Sequence, residues 1–128
     1  MDTRPTLQAL LASPQPGAST WLRYQDRIDV LATVDASRQL LRLDLALGRA
    51  RCSHDAELAA NLLRWNGAHL DVGSPCFSLD ERDNTICLGS AVMLTALTHE
   101  LTGPALERLV TAADEARAWL PDAILFFD

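Results

Sequence analysis

Leu41-Arg42-Leu43-Asp44-Leu45-Ala46-Leu47 is the stretch on which the fold turns. Leucine by itself favours a helix, yet these four leucines recur at every second position, and a helix would scatter them around its circumference. The strict period of two predicts a strand with the leucines on one face, Arg42, Asp44 and Ala46 on the other, and Gly48 closing it. Upstream, Ile28, Val30, Ala32 and Val34 alternate with Asp29, Leu31, Thr33 and Asp35, a second strand paired to the first as a hairpin across the polar break Ala36-Ser37-Arg38. Trp21-Leu22-Arg23-Tyr24 is also strand-like, either a separate short strand or the start of the second.

Outside this sheet signal the period lengthens. Thr3 caps a short helix with Pro5 in its first turn and Leu7, Leu10 and Leu11 on one edge, stopped by Pro14-Gln-Pro16-Gly17. Ser53 or Asp55 caps a second helix, whose stripe is Leu58, Leu62 and Leu63 broadened by Trp65 and whose stop is Asn66-Gly67. A strand over Cys76–Leu79 and a turn over Asp80–Asn84 lead into a long strand over 85–97 with both faces apolar, which places it centrally or under cover on both sides. Thr102-Gly103-Pro104 opens the last helix, with Leu106, Leu109, Val110, Ala113, Ala116 and Leu120 at helical spacing until Pro121. The tail Ile124-Leu125-Phe126-Phe127 either packs back on the domain or meets a partner. The order helix, strands, helix, strand hairpin, helix predicts one α+β domain over residues 1–128, a mainly antiparallel sheet flanked by helices.

Composition narrows the chemistry. All 11 basic residues are arginine, so there is no lysine for a Schiff base or for the GxxxxGK[ST] phosphate loop. Residues 1–52 carry seven Arg against five Asp, and residues 53–128 carry four Arg against twelve acids, a balance of +2 and −8 that sums to −6. Such a surface repels polyanions, which argues against nucleic acid as a partner; Arg38, Arg42, Arg49 and Arg51 are expected on the solvated face of a strand. The longest uncharged run, Asn84 to His99, is too short to span a bilayer, so no membrane span is expected. Three cysteines and no signal-peptide pattern point to reduced thiols in a cytoplasm.

Catalytic and metal patterns are poor. His99-Glu100-Leu101-Thr102-Gly103 lacks the second histidine of HExxH, and Cys52-Ser53-His54 has no second pair at zinc-finger distance. Cys76 and Cys87 are expected as core filler. Asp80, Glu81 and Asp83 are expected as turn formers, and Asp114 and Glu115 as a solvated helix face. No enzyme activity, cofactor or metal is expected. Apolar material exceeds what one core of this size consumes: the stripe at residues 7–11, that at 58–65, the two-faced strand and the aromatic tail are left to share it. Surplus apolar surface marks a protein partner.

The order of these pieces resembles the class I type III secretion chaperones of Gram-negative bacteria. The resemblance is carried by the N-terminal leucine helix, Leu43-Asp44-Leu45, Leu62-Leu63-Arg64-Trp65-Asn66, the hairpin from Phe77-Ser78-Leu79-Asp80 to Ile86-Cys87-Leu88, and Ala118-Trp119 at the close of the last helix. It implies a cytoplasmic homodimer without catalytic residues, cofactor or nucleotide, on which the extended N-terminal segment of a secreted effector wraps. That segment would add a strand to the sheet and fill apolar grooves. On that basis Leu7, Leu10, Leu11, Val30, Leu43 and Leu45 are assigned to the effector surface, and Leu58, Leu62 and Trp65 to an isologous dimer contact. The alternatives are an interaction module of the same fold outside secretion, and a small thiol or metal enzyme.

Overall fold

The alternation over residues 41–47 is realised as the longest strand of the sheet. The computed structural model describes residues 9–10, 15–25, 28–52, 55–68, 74–80, 82–94, 98–120 and 122–127. Its strands are β1 (Ser19–Tyr24), β2 (Ile28–Asp35), β3 (Leu40–Ala50), β4 (Cys76–Asp80), β5 (Thr85–Met93) and β6 (Ile124–Phe126), with helices α1 (Ala56–Ala68) and α2 (Thr98–Trp119). Every registered pairing is antiparallel, in the order β1-β2-β3-β5-β4 with β6 added on β3. The fold is α+β, and Trp21–Tyr24 belongs to a strand of its own.

Turns fall where polar side chains satisfy the backbone. Between β2 and β3, Asp35 Oδ1 accepts the Ser37 hydroxyl at 2.8 Å and the Arg38 N–H at 3.2 Å. Between β4 and β5, Asp80 Oδ1 accepts the Arg82 N–H at 3.0 Å and Asp83 Oδ1 the Thr85 N–H at 3.0 Å; Asn84 takes the left-handed conformation its short polar side chain tolerates. Asp80 and Asp83 are turn formers. Asp55 Oδ1 accepts the Leu58 N–H at 3.0 Å and so caps α1.

Because one parity of each strand faces the helices, a single layer of large aliphatic residues builds the core. Leu41, Leu43 and Leu47 of β3, Ile86 and Leu88 of β5 and Val30 of β2 are completely buried, each worth about 1.5–3 kcal/mol of apolar transfer. The α2 stripe Ala105, Leu109, Ala113 and Ala116 closes over them, and Leu58 and Leu62 of α1 pack on the β4 end. The small alanines of α2 let the helix backbone approach the leucine layer.

Three expectations need correction. β3 does not close at Gly48 but runs on to Ala50, because β6 crosses there and pairs Gly48 with Phe126, Arg49 with Leu125 and Ala50 with Ile124. The last helix begins at Thr98, leaving Pro104 inside it; burial of Thr102, Ala105 and Leu109 outweighs the donor that proline removes. The long strand ends at Met93, with residues 95–97 outside the described ones. Of the N-terminal helix, Ala9 and Leu10 are described and helical, whereas Leu7 and Leu11 lie outside the described residues.

Candidate functional site

The two helices cover the leucine side of the sheet, and the other parity forms its second face. There stand Trp21 of β1, Leu31 of β2, Arg42, Asp44 and Ala46 of β3, and Cys87, Gly89 and Met93 of β5. Asp44 lies across Gly89, where an added Cβ would come within 2.8 Å of its Oδ1; glycine here makes room for a carboxylate laid flat on the sheet. Burial pushes the Asp44 pKa up, and the Arg42 guanidinium 3.7 Å away pulls against that shift. Burial also raises the Cys87 thiol, reinforced by Asp44, Asp80 and Asp83, which depletes its thiolate.

Cys76 and Cys87 are therefore not core filler. Phe77, Ile86 and Leu88 take the helix side of their strands, so the cysteines at the intervening positions point the other way, Cys76 exposed and Cys87 half-buried. Cys52 is exposed. Among the described residues no three His, Cys, Asp or Glu side chains come together as metal ligands, and no helix is long and apolar enough to cross a membrane.

Large apolar side chains stand in solvent on both layers. Leu63 on the outer side of α1 is 69% exposed, Met93 58%, Leu125 56% and Trp21 47%; Leu79, Trp119 and Phe127 are exposed as well. A cleft of about 680 Å³ is lined by residues from both faces of the sheet. β2 pairs with β3 only as far as Leu31 opposite Asp44, and the tail takes over that side of β3 from Leu47, whose carbonyl accepts the Phe127 N–H. Between them Ile28 and Leu45 from the helix side and Leu31 and Ala46 from the open side line the gap, walled by Trp21, Phe126 and Phe127. Arg117 reaches it from α2, its guanidinium 5.9 Å from the centre of the Phe126 ring.

The residues assigned from the sequence divide as follows. Leu10, Val30, Leu43 and Leu45 are all buried within the protomer, and Leu45 also lines the 680 Å³ cleft. Leu58 and Leu62 are buried and line a cavity of about 280 Å³ with Leu79 and Ile86. Trp65 is half-buried, its ring edge-on to Phe77 at 4.9 Å, and borders a groove with Pro75, Pro104 and Glu107. Trp21, Ala46, Phe126 and Phe127 were not assigned from the sequence. Trp21 was available to the same alternation rule, since Thr20 and Leu22 on either side of it take the helix-facing parity; the tail carries no periodic signal of where it docks.

Two solved structures share this architecture. Over 84% of this chain and 79% of the other, the fold is similar to a chain in the crystal structure of the ExsC–ExsE complex, at TM-score 0.68 and 20% identity. Over 81% of this chain and 78% of the other, it is similar to one in the HopA1–SchA chaperone–effector complex, at TM-score 0.63 and 15% identity. No curated protein matches the sequence. Residues 19–117, from the first residue of β1 nearly to the end of α2, match the model of the Tir chaperone protein (CesT) family. Sheet, helices and sequence match together place the chain in the Tir chaperone protein (CesT) family.

Proposed function

We propose that the chain is a type III secretion chaperone that binds the extended N-terminal segment of a secreted effector in the bacterial cytoplasm and keeps it competent for export by binding alone, without nucleotide hydrolysis or catalysis. The observation that carries this reading is the set of large apolar side chains left in solvent, above all Leu63, Met93 and Trp21, on a chain of a chaperone family. Side chains of that kind gain free energy by burial against another polypeptide. The two structures of similar fold are complexes, one of them of a chaperone with its effector, which supports the same role here.

Leu7 and Leu11 belong to the effector side of this proposal, and Leu10, Val30, Leu43 and Leu45, buried in the protomer, support that surface from beneath. The dimer is proposed through α1, with Leu58, Leu62 and Trp65 holding the helix in place and Leu63 facing the partner copy. Co-expression with a secreted protein encoded beside this gene tests the reading. The expected result is a co-purifying complex in which the effector's first segment resists protease, on a chaperone that light scattering sizes as a dimer. A monomer that leaves that segment open to protease would overturn it.

A further inference from the structure

Asn66-Gly67 reads in the sequence as the stop of α1, yet the helix runs through both residues to Ala68. Of the asparagines, Asn61 precedes Leu62, Asn84 precedes Thr85, and Asn66 alone precedes glycine. An asparagine in that position is the most prone to lose its side-chain amide, because the following residue has no Cβ to obstruct attack by its own main-chain nitrogen.

The fold restrains this pair in two ways. Helical backbone does not place the Gly67 nitrogen over the Asn66 side-chain carbon, so ring closure waits for the turn to open. The amide itself is held on β4, donating to the Phe77 carbonyl and accepting the Phe77 N–H, and the Trp65 ring stands edge-on to Phe77 at 4.9 Å. Against these ties, the turn is the weak end of α1. Glycine is a poor helix former, no basic side chain in the last turn meets the negative end of the helix dipole, and helix ends fray. Gly67 is exposed, with open space where a Cβ would stand.

We infer that Asn66 is a self-modification site, converted to aspartate and isoaspartate when the last turn of α1 opens, and that the conversion permanently releases the Phe77 clamp. The Gly67 nitrogen, giving up its proton to solvent, bonds to Asn66 Cγ; the Cγ–Nδ2 bond breaks and ammonia leaves, closing a five-membered imide. Water then adds to either imide carbonyl. One opening gives aspartate, the other an isoaspartate that carries the main chain through the former side chain; the net change is one water taken up and one ammonia lost. Both products lack the Nδ2 donor, and the aspartate sets a carboxylate against the Phe77 carbonyl. The chain becomes one charge more negative than its −6. Because β4 ends the sheet on that side, Phe77 then joins an open strand edge. The conversion is independent of any effector and counts the local openings of α1.

The full chain is incubated in mildly alkaline buffer, native and in urea. Peptide mapping by mass spectrometry follows the exchange of –NH2 for –OH at each asparagine, and an isoaspartyl methyltransferase assay distinguishes the two products. The expected result is native conversion at Asn66 between tenfold and a thousandfold slower than in urea, with Asn61 and Asn84 intact. Gly67→Ala should slow the urea reaction at least tenfold, and Trp65→Ala, which removes the ring contact with Phe77, should speed the native one at least threefold. Converted protein, isolated by anion exchange on its extra charge, should exchange its Phe77 amide at least tenfold faster than unconverted protein, with β1 amides unchanged. Equal native and urea rates, a native rate no greater than that of Asn61, or unchanged Phe77 exchange after conversion each overturn the inference. So does a folded Trp65→Ala that converts no faster than wild type; if that variant unfolds, the wild-type rate ratio and Phe77 exchange decide.

Discussion

The side-chain amide of Asn66 engages both main-chain polar groups of Phe77: its Nδ2 donates to the Phe77 carbonyl at 3.0 Å and its Oδ1 accepts the Phe77 N–H at 2.8 Å. β4 ends the sheet on that side, so an asparagine near the end of α1 stands where the next strand would pair. Exposed edges invite foreign strands, and Phe77 offers none.

Replacing Asn66 by alanine removes two part-buried hydrogen bonds and leaves a strand donor and acceptor without their protein partner. The expected loss is about 1–3 kcal/mol, read as a lower urea midpoint at unchanged slope. Asn66→Asp keeps the acceptor but sets a carboxylate against the Phe77 carbonyl, and should fall at least as far at pH 7.

Gly48 governs the tail. A Cβ there would strike the Leu125 carbonyl oxygen and come within 2.8 Å of the Phe126 Cα, so Gly48→Val is expected to lift β6 from β3 at a cost of about 1–3 kcal/mol. Hydrogen exchange checks it: the Phe127 amide, which donates to the Leu47 carbonyl at 2.9 Å, should lose protection while amides of β1 keep theirs.

Leu43 is fully buried, with Ala32 and Ser90 opposite it on the neighbouring strands. Leu43→Ala should cost about 2–5 kcal/mol by thermal or urea unfolding, whether or not a partner is present.

Two carboxylates should respond to acid in opposite senses. Side-chain and backbone hydrogen bonds from Arg82 hold the Asp80 pKa at about 2, below its ordinary 3.8. Its contribution to stability is therefore full above 3.8 and is lost as pH falls toward 2. Asp44 has its pKa raised by burial, so its ionised form disfavours the folded state and stability rises as acid protonates it. Asp44→Asn is expected to be more stable than wild type at pH 7, by no more than about 1 kcal/mol, with the gap closing near pH 3. Carboxyl NMR titration of Asp80 and urea midpoints of the Asp44 pair at the two pH values check both signs.

Much of this architecture is legible in the residues. The period of two gives β2 and β3, the Asp55 cap gives α1, and the acidic turn gives the β4–β5 hairpin, because each signal is local. Which parity faces the helices is not local: Cys76 and Cys87 look like filler until Phe77, Ile86 and Leu88 are seen to occupy the covered side. Pro104 reads as a helix start, yet packing of Thr102 and Ala105 carries the helix past it. The cleft is the least legible feature, since Trp21 and Phe127 stand 106 positions apart and meet only because β6 docks where β2 diverges.

Among the described residues, helices clothe one side of the sheet only, and its labour divides by residue parity. A saturation-mutagenesis map of β3 should come out striped: substitutions at 41, 43, 45 and 47 register in protein abundance, and those at 42, 44 and 46 in the identity of whatever rests on the bare face. Variation along one stripe can then proceed without disturbing the other.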